Sequence, residues 1–155
     1  MLIEDPIVLL VDDSDDDALL VRRVFERVGF AAPLQFVRDG DEVIAYLSGA
    51  GVYGDRTKYP MPTALLLDLN MARKNGFDVL AWIRQQPDLK RLCVYILSAS
   101  SRPEDIQRSY DLGANSYLVK PGTLDELTAM AQCLLAWLKL SHFYVSEETL
   151  SVGAA

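Results

Sequence analysis

Short apolar runs alternate with longer stretches of helical periodicity along this chain, and no other feature of the sequence restricts its fold as strongly. The apolar runs cover residues 7–11, 34–37, 64–67, 93–97 and 116–119. The helical stretches cover residues 15–28, 41–47, 77–85, 104–112 and 124–140. This alternation is typical of βαβ units around a parallel sheet. The sequence therefore predicts a (βα)₅ α/β fold, and 155 residues suffice for one domain.

The first, third and fourth runs are almost continuously apolar, which predicts strands that are covered on both faces at the centre of the sheet. Gly29 and Gly113 stand where helix C-caps favour a positive φ, and Ser14 stands where a helix N-cap is expected. The segment 49–62 is longer than most connections of its kind, so we expect a surface loop with a possible function.

Composition excludes several classes of protein. The chain has 22 acidic against 15 basic residues, which disfavours nucleic-acid binding. No apolar run approaches the roughly 20 residues that span a bilayer, and the N-terminus lacks a signal-peptide pattern, so we expect a cytoplasmic protein with no membrane contact. Cys93 and Cys133 have no neighbours at zinc-ligand spacing, and we expect both to be core thiols.

Polar residues follow four of the five predicted strands. Asp12 and Asp13 follow the first strand, Asp68 the third, Ser98 the fourth and Lys120 the fifth. Ligands of open parallel sheets bind beyond the carboxyl ends of the strands, so these side chains are expected to meet at one rim.

This group of side chains predicts phosphoryl chemistry. Three crowded carboxylates repel one another unless a cation lies among them, and Mg²⁺ with its oxygen ligands fits best. Lys120 adds a positive charge and Ser98 a hydroxyl donor, both suited to a phosphoryl group. Asp68 is then the predicted nucleophile.

Over roughly residues 5 to 140, these motifs resemble the response regulator receiver family of two-component signalling. The resemblance is carried by Asp12-Asp13, Asp68, Asn70, Ser98-Ala99, Tyr117 and Lys120-Pro121. It implies a flavodoxin-like, doubly wound sheet with strand order 2-1-3-4-5, a receiver domain over 1–140 and a short tail over 141–155.

The resemblance also implies a role for each residue of the rim. Asp68 would accept a phosphoryl group from a phosphohistidine on a sensor histidine kinase. Asp13 and Asp68 would bind Mg²⁺, Asp12 would act on it directly or through water, and the Asn70 backbone carbonyl would complete the set. Lys120 would bind the phosphoryl oxygens.

Ser98 and Tyr117 correspond to the switch pair of the family, which reshapes the face formed by helix four, strand five and helix five. The Lys120–Pro121 peptide would be cis. Ala72 stands where the family often has proline, which would loosen that loop. The short tail and the long 49–62 segment resemble single-domain regulators that partner phytochrome-type histidine kinases and have no DNA-binding output.

Helix five carries two apolar stripes. The first consists of Leu127, Ala131, Leu134 and Leu138, and the second of Met130, Cys133, Trp137, Leu140 and Tyr144. The first stripe would cover the sheet. The second could pack on helix four or on the tail, but aromatic residues and methionine favour a homodimer interface that also includes helix four, strand five and the tail.

Three other interpretations fit these residues less well. A Mg²⁺-dependent phosphohydrolase would use an aspartyl-phosphate, but it usually needs a second acid where Asn70 stands, so we expect a phosphoacceptor with slow self-hydrolysis and no enzyme. A pseudo-receiver would lack an acid or the lysine, and none is missing. An EF-hand from Asp13 fails at its sixth and twelfth positions, so residues 15–17 are read as acids of the first helical turn. His142 is expected to be exposed.

Overall fold

The structure is a computed structural model that describes residues 5–31, 34–71 and 73–143. Within these ranges five parallel strands pair in the order β2-β1-β3-β4-β5. The strands are Val8–Val11 (β1), Gln35–Val37 (β2), Ala64–Leu67 (β3), Cys93–Ser98 (β4) and Ser116–Val119 (β5). The helices are Asp15–Val28 (α1), Gly40–Ser48 (α2), Gly76–Gln85 (α3), Pro103–Asp111 (α4) and Leu124–Leu140 (α5). The predicted (βα)₅ fold, its strand order and the central place of β1, β3 and β4 are confirmed.

Each face of the sheet has its own apolar core. Along β1, Val8 and Leu10 pack into a cluster with α1 and α5, whereas Leu9 and Val11 pack into a cluster with α2 and α3. All four side chains are therefore buried, although successive residues of a strand point to opposite faces. This two-sided burial explains why the central strands read as continuous apolar runs.

The helix ends form where the cap residues stand. The Ser14 side chain accepts a hydrogen bond from the Asp17 backbone N–H at 3.2 Å and begins α1. Gly29 ends α1 with a φ of 101°, a left-handed conformation that glycine adopts without steric cost. Gly113 has a φ of 99° just beyond α4. The predicted caps are therefore present, with α4 beginning and ending one residue before its predicted bounds.

The long segment 49–62 is ordered by its own side chains. It contains a short 3₁₀ turn, Gly51–Gly54. The Arg56 guanidinium donates a 2.8 Å hydrogen bond to the backbone carbonyl of Tyr46, near the C-terminus of α2. The rings of Tyr46 and Tyr53 lie 5.0 Å apart. Hydrogen bonds from a partly buried guanidinium and aromatic packing thus hold this segment against α2.

Two details differ from the sequence prediction. Cys133 is exposed, because it lies on the outward side of α5, so its assignment as a core thiol is wrong. Cys93 is partly buried and packs against the core between the sheet, α1 and α5. The described residues contain no cis peptide bond, so the expected cis Lys120–Pro121 peptide is also wrong. The trans form is the intrinsically favoured isomer of an X–Pro bond.

The C-terminal part of the structure agrees with several simpler predictions. The first stripe of α5, Leu127, Ala131, Leu134 and Leu138, is buried against the sheet. His142 is exposed, as predicted. Tyr144 and the rest of the tail lie outside the described residues. In the described ranges, no helix has the length and apolar character needed to cross a bilayer.

Candidate functional site

The backbone brings the four strand ends to one rim of the sheet. Asp68 follows β3, and its N–H donates a 3.0 Å hydrogen bond to the Val11 carbonyl at the end of β1. Lys120 follows β5, and its N–H donates a 2.8 Å hydrogen bond to the Ser98 carbonyl at the end of β4. Asp12 comes directly after Val11. The strand pairing therefore aligns these side chains at the carboxyl edge of the sheet.

Three carboxylates meet at this rim. One oxygen from each of Asp12, Asp13 and Asp68 lies within 4.8 Å of the others. Asp12 and Asp68 are buried, with 1% and 5% of their surfaces exposed, whereas Asp13 is exposed. Asp12 Oδ1 also accepts a hydrogen bond from the Ser14 N–H at 2.9 Å, which fixes the direction of its carboxylate. This donor set, open to water on one side, fits a hard divalent cation.

The Lys120 ammonium group lies among the acids. Its Nζ is 2.8 Å from Asp12 Oδ2 and 3.4 Å from Asp68 Oδ2. A third acid, Asp17, approaches from the first turn of α1, with its Oδ2 at 3.1 Å from the same nitrogen. Lys120 thus partly neutralises a site that would otherwise hold buried carboxylates without a positive charge.

Burial and charge change the acidity of both central groups. Burial raises the pKa of the Asp68 carboxyl, against the opposing effect of the Lys120 charge and the hydrogen bond from Asn70. Burial lowers the pKa of Lys120, but its hydrogen bond to Asp12 and the charges of Asp68 and Asp12 outweigh that effect, so its pKa lies above the usual value. The ammonium group is therefore charged at neutral pH, and Asp68 is a more basic carboxylate than an exposed aspartate.

The loop after β3 fixes the position of Asp68. The Asn70 N–H donates a hydrogen bond to Asp68 Oδ1 at 3.3 Å. The Gly76 N–H donates to the Leu69 carbonyl at 3.0 Å, and a Cβ atom on Gly76 would collide with the backbone of Asp68 and Leu69. Glycine at this position lets α3 begin directly against the strand that carries Asp68. The coordinating role of the Asn70 carbonyl stays a prediction, and Ala72 lies outside the described residues.

Ser98 and Tyr117, the predicted switch pair, contact the same neighbour. The Ser98 hydroxyl is fully buried and accepts a hydrogen bond from the Ser100 N–H at 3.2 Å. The Tyr117 hydroxyl donates to the Ser100 carbonyl at 2.7 Å. The loop between β4 and α4 thus connects the rim of the site to the edge strand. The switch role of the pair stays a prediction.

Asp17 is the residue of this site that sequence reasoning missed. Its place in the sequence predicts only one of three acids of the first helical turn, without a role of its own. A signal was present in the sequence, because Asp17 precedes the buried Val21 and Val24 by four and seven residues. That spacing places an acid on the inward stripe of α1, at the end nearest the rim.

Comparison with known proteins agrees with this geometry. Residues 8–132 match the family model of the response regulator receiver domain. Response regulator Rcp1 of Synechocystis sp. is 40% identical over 134 residues, covering 86% of this chain and 89% of Rcp1. The structure of its Mn²⁺-bound form has a TM-score of 0.76 at 36% identity, covering 90% of this chain and 99% of that one.

Two further solved structures are similar over nearly their whole length. The phosphorylated cyanobacterial phytochrome response regulator RcpA has a TM-score of 0.77 at 34% identity, covering 90% of this chain and 98% of that one. Response regulator RPA3017, of red light signaling in R. palustris, has a TM-score of 0.85 at 34% identity, covering 91% of this chain and 99% of that one.

Proposed function

Because this chain belongs to the response regulator receiver family, we propose that Asp68 accepts a phosphoryl group from a phosphohistidine on a sensor histidine kinase. One observation carries the proposal: Asp12, Asp13 and Asp68 place carboxylate oxygens within 4.8 Å of one another, beside the ammonium group of Lys120. This combination of acids and one lysine is suited to a group that arrives with negative charge and leaves its donor in the transfer.

In the proposed reaction, an Asp68 carboxylate oxygen forms a bond to phosphorus while the bond between phosphorus and the histidine nitrogen breaks. The electron pair of the broken bond stays on the imidazole, which then takes a proton from water. Lys120 neutralises the phosphoryl oxygens, and the Asn70 N–H keeps the Asp68 carboxylate oriented. Mg²⁺, held by Asp12, Asp13, Asp68 and the Asn70 carbonyl, would supply additional positive charge to those oxygens.

The choice of a divalent cation has support from a relative. Rcp1 has been crystallised in a Mn²⁺-bound form, and it is 40% identical to this chain. Mn²⁺ and Mg²⁺ both favour oxygen ligands of the kind that the three acids offer. We propose Mg²⁺ as the resident ion.

The output is proposed to be protein binding in the cytoplasm, with no turnover of an external substrate and no nucleic-acid contact. Asn70 stands two residues after Asp68, where an aspartyl-phosphate hydrolase usually carries its general acid. A side-chain amide has no ionisable proton to donate to a leaving alcohol. A phosphohydrolase is therefore the weaker alternative, and slow self-hydrolysis of the aspartyl-phosphate is the expected fate of the signal.

A phytochrome-type histidine kinase is the proposed partner class. RcpA is a phytochrome response regulator, and RPA3017 takes part in red light signaling. Each superposes over at least 98% of its own length at 34% identity. These two likenesses favour a light-sensing kinase over other sensor kinases.

We also propose a homodimer through α4, β5 and α5. Large apolar side chains are exposed on all three elements, namely Tyr110 on α4, Val119 on β5, and Trp137 and Leu140 on α5. β5 is an edge strand of the sheet. Exposed aromatic and aliphatic residues on adjoining elements are the type of surface that interfaces bury.

Intact-mass measurement after incubation with Mg²⁺ and acetyl phosphate tests the central proposal. The wild type is expected to gain the mass of one phosphoryl group, and Asp68→Asn is expected to gain none. Asp78→Asn, which changes an acid of the first turn of α3, serves as the control and should be modified like the wild type. A wild type that stays unmodified, or an Asp68→Asn variant that is modified equally, would show the assignment of Asp68 to be wrong.

A further inference from the structure

Asp17 reaches the site from a different side than the other acids. Asp12 and Asp68 contact Lys120 from the sheet, and their side chains are only 2% and 7% exposed. Asp17 contacts the same nitrogen from α1, and its side chain is 51% exposed. The lysine therefore lies between two buried acids and one acid at the solvent boundary.

The other acids of the same helical turn differ from Asp17. Asp15 forms an ion pair of 3.3 Å with Arg38, on the side of β2. Asp16 is exposed to solvent. The contact with Lys120 thus depends on the position of Asp17 on the inward stripe of α1, and a general preference of helix N-termini for acids does not account for it.

A divalent cation at the three acids changes the surroundings of Lys120. Such an ion would be positive like the ammonium group, and it would bind the Asp12 and Asp68 carboxylates that Lys120 contacts. When an ion neutralises those two acids, the attraction that holds Lys120 on the sheet side decreases and repulsion takes its place. Asp17 lies outside the group of three acids, so the ion would not neutralise it and its carboxylate would still attract Lys120.

We infer that Asp17 is a positioning residue, which retains Lys120 at the rim when a divalent cation binds Asp12, Asp13 and Asp68. This inference rests on the proposed function, because it assumes that the three acids bind such an ion. Without Asp17, the displaced ammonium group would have no acid to move to, so binding of the ion would become less favourable. Asp17 thereby keeps the lysine within reach of the position that the phosphoryl group is to occupy.

Calorimetric titration with Mg²⁺ of the unphosphorylated protein tests the inference. Asp17→Asn is compared with Asp16→Asn, which removes the same charge from the same turn of α1. We expect Asp17→Asn to bind Mg²⁺ about threefold to fivefold more weakly than Asp16→Asn, as expected for a partly exposed ion pair. Equal affinities of the two variants would overturn the inference.

A double-mutant cycle separates positioning of Lys120 from a direct effect of charge on the ion. In a Lys120→Met background, Asp17→Asn and Asp16→Asn should change the affinity for Mg²⁺ equally, because no ammonium group remains for Asp17 to hold. If Asp17→Asn still weakens Mg²⁺ binding more than Asp16→Asn in that background, Asp17 acts on the ion itself and the inference is wrong. Lys120→Gln provides a second background, with a polar side chain, should Lys120→Met fail to fold.

The mass measurement described above reports on the proposed function separately. If the wild type binds Mg²⁺ with the expected coupling between Asp17 and Lys120 but never gains a phosphoryl group, the phosphoacceptor proposal fails and the positioning role stands. If Asp68 is phosphorylated while the cycle shows no coupling, the positioning role alone fails.

Discussion

Lys120 Nζ lies 2.8 Å from Asp12 Oδ2, and this contact joins the end of β5 to a residue 108 positions earlier in the chain. The Asp12 side chain is almost completely buried, and the lysine side chain is 21% exposed. The pair spans the rim of the sheet beside Asp68. Its removal should therefore affect both the stability of the fold and the affinity of the site for cations.

Replacement of Lys120 by methionine should lower the free energy of unfolding by about 1–3 kcal/mol in the absence of divalent ions, because two buried carboxylates lose a charged hydrogen-bond donor. Mg²⁺ should stabilise this variant more than the wild type, since the ion binds without a competing ammonium group. Urea denaturation with a chelator and with Mg²⁺ measures both effects. Lys90→Met, at an exposed position, is the control. Equal decreases in the free energy of unfolding of the two variants would contradict the prediction.

Replacement of Gly76 by alanine should destabilise the protein by about 1–3 kcal/mol, because the new methyl group overlaps the backbone of Asp68 and Leu69. The displacement of Asp68 should also slow its phosphorylation by acetyl phosphate. Gly122→Ala is the matched control, since a Cβ atom there meets nothing within 4 Å. The measurements are urea denaturation and intact mass over time. Equal unfolding free energies and equal phosphorylation rates of the two variants would argue against a tight contact between residue 76 and the backbone of Asp68 and Leu69.

Tyr53 should make the stability of the fold sensitive to alkaline pH. Burial, followed by the hydrogen bond to Glu42, raises the pKa of Tyr53 to about 12 from a usual value of 10.0. The protonated phenol therefore stabilises the folded state fully below pH 10, and this contribution decreases between about pH 10 and 12, where the unfolded chain ionises first.

Tyr53→Phe removes this dependence, so the difference in stability between wild type and variant should narrow as the pH rises from 10 to 12. Urea denaturation at several values of pH measures it. Burial also raises the pKa of Tyr46, so the variant should keep part of the alkaline loss of stability. Stability curves that run parallel for the two proteins across this range would show that the contact between Tyr53 and Glu42 does not hold in solution.

Replacement of Trp137 by glutamate should convert a dimer into a monomer in sedimentation experiments at micromolar concentration. Trp137 is 62% exposed on the outward side of α5, and a charge in the centre of an apolar interface would be buried without a partner. Val52→Glu, on the 3₁₀ turn and 69% exposed, is the control and should remain dimeric. A wild type that sediments as a monomer would show that the face formed by α4, β5 and α5 is not a homodimer interface.

Much of the fold follows from local patterns. Apolar runs and helical periodicity placed five strands and five helices within one residue of their bounds, because burial of a strand or a helix face requires that spacing. Ser14 and Gly29 marked the ends of α1, since capping depends on residues within one turn. The acids at the strand ends could be assigned to one rim, because parallel strands share a common carboxyl edge.

Other features depended on contacts between distant parts of the chain. The length of the segment 49–62 predicted a surface loop, but the order within it comes from Arg56 and from the packed rings of Tyr46, Tyr53 and Tyr59. The apolar neighbours of Cys133 in the sequence predicted a core thiol, but its place on the second stripe of α5 directs it away from the sheet, and it is exposed. The order of the segment could not be predicted from spacing, because it depends on side-chain contacts with α2.

The sequence by itself determined that Asp12, Asp13, Asp68, Ser98 and Lys120 would gather at one edge, because the hydrophobic pattern marks the strand ends and parallel strands share one carboxyl edge. The spacing to Val21 and Val24 puts Asp17 on the inward stripe of α1, but the contact of this acid with Lys120, made by neither Asp15 nor Asp16, was decided by the tertiary structure. Three adjacent acids are equivalent as charges at a helix N-terminus, but 100° of rotation separates each from the next. The packing of α1 against the sheet selects the one that faces Lys120.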